Sequence, residues 1–118
     1  MADDRDRQVV DWEAALDNCL GREDLLRQIV RMFGVEKARR LSDLEAALAA
    51  GDLRRTGHAA HEIKGMALVL AATGVGEAAL ALEEAASAGR IEALGALRDA
   101  LIHEISLLEA ETARRFGP

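Results

Sequence analysis

The chain has 118 residues, half of them hydrophobic but only 3% aromatic, and its single proline is Pro118 at the last position. Ala, Leu, Glu and Arg dominate, which argues against a strand-rich fold and sets an all-α expectation. Fifteen basic against twenty-one acidic side chains give a formal net charge of −6, the wrong sign for a general nucleic-acid binder.

A chain of 118 residues buries roughly two thirds of its unfolded surface, so one domain over 1–118 is expected. The opening MADDRDRQVVDWEA is charged and lacks the apolar run of a signal peptide. Cys19 has no second cysteine to pair with, so nothing points to an oxidising compartment, and it reads as a small apolar residue. The uncharged run GMALVLAATGVG, 65–76, is twelve residues long and falls short of the ~20 that span a bilayer. A soluble, cytoplasmic protein without membrane association is expected.

Glycines punctuate the chain. The pattern predicts a short helix over 10–19, anchored by Trp12, and a turn at Gly21. A long helix follows over 22–50, with Leu26, Ile29, Val30, Phe33, Leu41, Leu44 and Leu48 at three- and four-residue steps and a bend marked by Gly34. Gly51-Asp52 reads as a helix-ending glycine followed by the N-cap of the next helix, 52–72. Thr73-Gly74-Val75-Gly76 is taken as the next turn, then a helix over 75–87 closed by Ser87-Ala88-Gly89. The last helix, 90–114, carries Ile91, Leu94, Leu97, Leu101, Ile105 and Leu108. Short loops between amphipathic helices favour antiparallel neighbours, hence an up-and-down antiparallel four-helix bundle with a short extra N-terminal helix.

The third helix carries the chemistry, in AHEIKGMALVL at 60–70. With about 100° per residue and His61 set at zero, Ala59, Ile63, Met66, Ala67 and Leu70 form the stripe that faces the core. His61 points away from it. Arg54, Gly57, His58, Lys64, Gly65 and Leu68 share its side within about 60°. Lysine is scarce, two residues against thirteen arginines, and one of the two stands three residues after the histidine. Gly57 and Gly65 each cost about 1 kcal/mol against Ala inside a helix, and together they are read as clearing side chains from around the imidazole. A neutral imidazole is a nucleophile near pH 7. Lys64 disfavours its protonation and offers a positive charge to a phosphoryl group arriving on the ring. At an exposed position each effect is worth about 1 kcal/mol or less.

The stretch resembles the signature of histidine-containing phosphotransfer (HPt) domains, A-H-x-L-K-G-S-A-x-N-L-G-A, in Ala60-His61-Glu62-Ile63-Lys64-Gly65 and the residues to Ala72. LLRQIVRMFGVEKARRLSDLEAALAAGDLRR upstream and EAALALEEAA downstream resemble the flanking helices of that family. The resemblance implies a phosphorelay intermediate. His61 is then the phosphoacceptor between receiver-domain aspartates in two-component signalling, with Lys64 as charge support and Gly65 giving access. Arg54, Gly57, His58 and Leu68 would belong to the docking surface. The implied partners are response-regulator receiver domains and a hybrid histidine kinase. The implied state is a monomeric phosphocarrier rather than an enzyme, with no ATP site, no cofactor of its own and Mg²⁺ supplied by the receiver. Met66, Val69 and Ala71 replace the family's usual Ser, Asn and Gly.

Other readings of the same residues stand beside this one. His58 and His61 are three apart, the spacing of a metal pair, although Glu62 lies about 100° round from His61; no metal site is expected. His58 is also weighed as a second phosphoacceptor, a docking residue or a solvated side chain, and His103 as structural. A non-catalytic helical scaffold that binds a receiver or kinase without phosphotransfer is the second functional class. No convergent acid–base constellation supports a hydrolytic enzyme.

Overall fold

The computed structural model describes residues 8–117; the charged stretch 1–7, read above as no signal peptide, and Pro118 lie outside them. Among the described residues the elements are helices: α1 (Trp12–Asn18), α2 (Glu23–Ala49), α3 (Leu53–Val69), α4 (Thr73–Ser87) and α5 (Leu94–Phe116), the last entered through a 3₁₀ turn at Ile91–Ala93. α2 runs through Gly34 without interruption.

Four helix ends close in the same way. At Gly51 and Gly89 the chain takes a left-handed φ of 66° and 71°. The two amides that follow each helix fold back onto its last carbonyls, as in Asp52 N to Ala47 O at 3.0 Å and Arg90 N to Ala85 O at 2.9 Å. Asp52 then caps α3 as expected, its side chain accepting from Arg55 N at 3.1 Å. The other two ends use residues with a Cβ: Leu20 at φ 59° after α1 and Ala71 at φ 53° after α3. Ala71 is why the turn expected at Thr73-Gly74-Val75-Gly76 is misplaced. Ala72 N bonds Ala67 O at 2.9 Å and Ala71 N bonds Leu68 O at 3.2 Å, so α3 has already ended at Val69. Thr73 to Gly76 instead form the first turn of α4, with Gly74 and Val75 buried.

Each helix turns one stripe inward, and sequence neighbours pack on each other, with a thinner contact between α2 and α5. Leu26, Phe33 and Leu44 from α2, Ile63 and Ala67 from α3, Val75, Ala79 and Leu82 from α4, and Leu101, Ile105 and Leu108 from α5 meet in one buried cluster. Ile29, Val30, Leu41 and Leu48 lie at its margin, whereas Ile91, expected in the α5 stripe, is 67% exposed because it sits in the 3₁₀ turn. Leu44 and Leu82 are fully buried, so truncating either to Ala costs about 2–5 kcal/mol.

α1 belongs to the same core through Ala15, with Val10 and Cys19 buried on either side of it. Trp12 anchors it, as expected: its indole N–H donates to Glu111 at 2.9 Å and its ring meets Phe116 edge-on at 5.6 Å. At the other end of α1, the Asn18 amide donates to Val69 O at 3.1 Å, a carbonyl that the end of α3 leaves open, and also to Leu68 O at 3.3 Å, which already accepts from Ala71 N.

Candidate functional site

α3 is held on two sides, by α2 and more extensively by α4. Ala59, Ala60, Ile63 and Ala67 fill that contact and are at most 4% exposed. The opposite side of the helix is left to solvent, and there the His61 side chain is 59% exposed. As the helical angle predicts, the ring stands outside the core, on a helix whose register the buried residues fix.

The main feature not seen from sequence is Glu83 of α4. Its carboxylate lies between two residues of α3, with Oε2 at 2.9 Å from His61 Nδ1 and Oε1 at 2.9 Å from Lys64 Nζ. An ionised carboxylate only accepts hydrogen bonds, so Nδ1 must carry the proton. In the neutral ring this is the tautomer that leaves the Nε2 lone pair available. The Lys64 ammonium holds the Glu83 carboxyl below the usual carboxylate range, helped by the His61 N–H and opposed by partial burial. Lys64 thus acts on the ring through Glu83. It is tied across the helix interface rather than reaching over the open side of the imidazole.

Glu83 falls on the inward stripe of α4, four residues after Ala79 and three before Ala86, both buried. A carboxylate at such a position needs a partner. That is the sequence signal that could have found it.

His58, three residues earlier, is arranged in the reverse sense. Its Nε2, the outer nitrogen, is at 2.7 Å from Glu62 Oε1 on the same helix, and the other oxygen of Glu62 pairs with Arg40 of α2. His58 is more exposed than His61, at 73%, yet the nitrogen best placed to meet a partner is occupied. Among the described residues no group of three His, Cys, Asp or Glu side chains is arranged to hold a metal ion.

The remaining expected site residues separate. Arg54, Gly57, His58, His61 and Glu83 line one open depression of about 600 Å³ between α3 and α4. Leu68 is 65% exposed two turns further along. A Cβ added at Gly65 would meet nothing within 4 Å, so this glycine keeps open space beside the ring. A Cβ at Gly57 would touch Ala86 Cβ at 3.7 Å, so Gly57 is occupied with the seating of α3 on α4 rather than with clearing the outer side of the imidazole. His103 is exposed on α5.

A comparison with known families matches residues 28–111, α1 excluded, to the Hpt domain model. No curated protein and no solved structure matches the chain.

Proposed function

The chain belongs to the Hpt domain family, whose members carry phosphoryl groups on histidine in two-component signalling, and on that premise we propose that His61 is the phosphoacceptor between receiver aspartates. The observation that carries this reading is the orientation of the ring, with Nδ1 held by Glu83 on a side chain that is 59% exposed. In the forward step the Nε2 lone pair attacks the phosphorus of an aspartyl phosphate. The P–N bond forms, the P–O bond to the aspartate breaks, and the aspartate leaves as a carboxylate. The Nδ1 proton stays in place, and the positive charge that the ring acquires lies 2.9 Å from the Glu83 carboxylate. The same contact serves the return step, because a ring that keeps its Nδ1 proton leaves phosphorus as a neutral imidazole. Lys64 keeps Glu83 ionised for both.

Access is the other requirement. Gly65 supplies open space beside the ring, and Arg54 and Leu68 extend the surface that a receiver would cover. On this reading the chain needs no ATP site or cofactor of its own, and any Mg²⁺ belongs to the receiver. We take the protein to be one cytoplasmic domain acting as a monomer; no helix among the described residues is long and apolar enough to cross a membrane.

The test is incubation with a phosphorylated receiver domain. The reading predicts an acid-labile, base-stable label that His61→Gln removes. Label retained in that variant would move the acceptor to His58 or His103. Binding without any label in the wild type would leave only the scaffold function.

A further inference from the structure

A second depression opens between α3 and α4, toward the C-terminal end of α3. The buried Ala67 and Ala72 lie at its base with Gly76, the exposed Leu68 and Leu80 at its sides, and Lys64 at the end nearer His61. It exists because the residues along this crossing are small: a Cβ added at Gly76 would already meet Ala67 Cβ at 3.9 Å. Its volume is about 250 Å³. That is below the ~300–1,000 Å³ of small-molecule sites, so its size suits a side chain better than a metabolite.

Position decides which side chain. Leu68 is seven residues after His61, about 10 Å along the helix and within about 20° of the same face. A standard interface covers roughly 800 Å² on each partner, a patch roughly 16 Å in radius. Any domain that closes over His61 on that scale also covers this groove. Leu68 at 65% and Leu80 at 40% exposure are apolar surface that such a partner would remove from water.

We propose that the α3–α4 groove is a specificity pocket of the docking surface and receives one bulky apolar side chain, of Leu, Ile, Met or Phe size, from the receiver seated over His61. The inference rests on the phosphotransfer reading and adds to it a criterion for partners. Receivers with such a side chain about 10 Å from the phosphorylated aspartate dock well, and receivers with a charged residue there do not.

The experiment measures label transfer from a phosphorylated receiver to the full chain as a function of receiver concentration. Leu80→Asn removes an apolar side of the groove without adding charge near Lys64, and Thr73→Trp fills the groove from its exposed rim. Both raise the half-saturating receiver concentration, roughly tenfold, while the rate at saturation stays within about twofold. Because one variant removes apolar surface and the other adds it, loss of folding in one leaves the other to decide, with circular dichroism melts reporting the fold. Unchanged half-saturation in the folded variants overturns the proposal while leaving His61 as acceptor. So does a wild-type dimer that Leu80→Asn converts to monomer, which would assign the groove to a second copy. Failure of the wild type to take label from any phosphorylated receiver removes the phosphotransfer reading and this proposal together.

Discussion

α3 carries two histidine–carboxylate–cation triads, His61–Glu83–Lys64 and His58–Glu62–Arg40, and they differ in which ring nitrogen is engaged. At His61 the carboxylate comes from the neighbouring helix and takes Nδ1, leaving Nε2 outward. At His58 it comes from the same helix, one turn on, and takes Nε2. Exposure alone would favour His58, the more solvent-accessible of the two. A carboxylate on Nδ1 prepares a nucleophile, whereas one on Nε2 makes a strut joining α3 to α2 through Arg40. On the proposed function, the same three kinds of group, imidazole, carboxylate and cation, give a reactive centre or a structural tie according to the direction from which the carboxylate approaches.

The largest expected effect breaks this comparison outright. His61→Gln abolishes labelling by a phosphorylated receiver, while His58→Gln keeps it within about twofold of wild type, since its ring contributes no free Nε2. Base-stable label retained by each variant after incubation with the phosphorylated receiver reads this directly. Next in size is the pair of carboxylates. Glu83→Gln preserves shape but loses the charge that supports the ring, and it slows transfer roughly tenfold, the low end for removing a partner that orients a reactive imidazole. Glu62→Gln leaves the transfer rate nearly unchanged and affects only the melting temperature. Equal effects of the two carboxylate substitutions on rate would erase the distinction between the triads.

Gly65→Ala sharpens the contrast between stability and access. Its new methyl group meets nothing in the folded chain and removes a helix-weakening glycine, so it stabilises by about 0.5–1 kcal/mol. On the proposed function the same methyl group stands where a receiver must approach, and transfer falls roughly fivefold. A denaturation midpoint that rises while the transfer rate drops is the expected signature.

How much of this was legible beforehand depends on the distance over which a residue acts. Gly51-Asp52 could be read from sequence because a left-handed glycine and a capping aspartate act within one turn. The outward direction of His61 was legible for the same reason: Ile63, Ala67 and Leu70 set the register of their own helix. The turn after α3 was not, since Ala71 occupies a left-handed position that ordinarily advertises itself by glycine, and the nearby Gly74 and Gly76 drew the expected turn into α4. Glu83 was not legible either, because it lies 22 residues from His61 and their contact depends on how α4 is seated against α3. The outward direction of His61 was therefore right, whereas Gly57 and Lys64, placed on the same open face, are engaged with α4. The electrostatic role given to Lys64 lacked the carboxylate to which it is bound.

Ala71 also supplies a smaller test. Ala71→Gly relieves a φ of 53° and stabilises the fold by about 0.5–1 kcal/mol after the added freedom of the unfolded chain is offset. A chemical-denaturation midpoint below that of wild type would contradict the strained-cap description.

The smallest expected effect concerns pH. The Glu83 carboxyl is held below its ordinary 4.5 in the fold. Its contribution to stability is therefore fully present above that range and is lost as pH falls through the depressed folded value. The stability advantage of wild type over Glu83→Gln, about 1 kcal/mol or less for a partly exposed pair, should shrink steadily on acidification below about pH 4.5. Paired thermal melts down to pH 3 check the sign.

The most direct test of the account is nuclear magnetic resonance of the phosphorylated protein carrying ¹⁵N-labelled histidine. The account predicts a phosphorus–nitrogen coupling at Nε2 of His61, with Nδ1 of the same ring still protonated. Coupling at Nδ1 of His61, or at either nitrogen of His58, would contradict it.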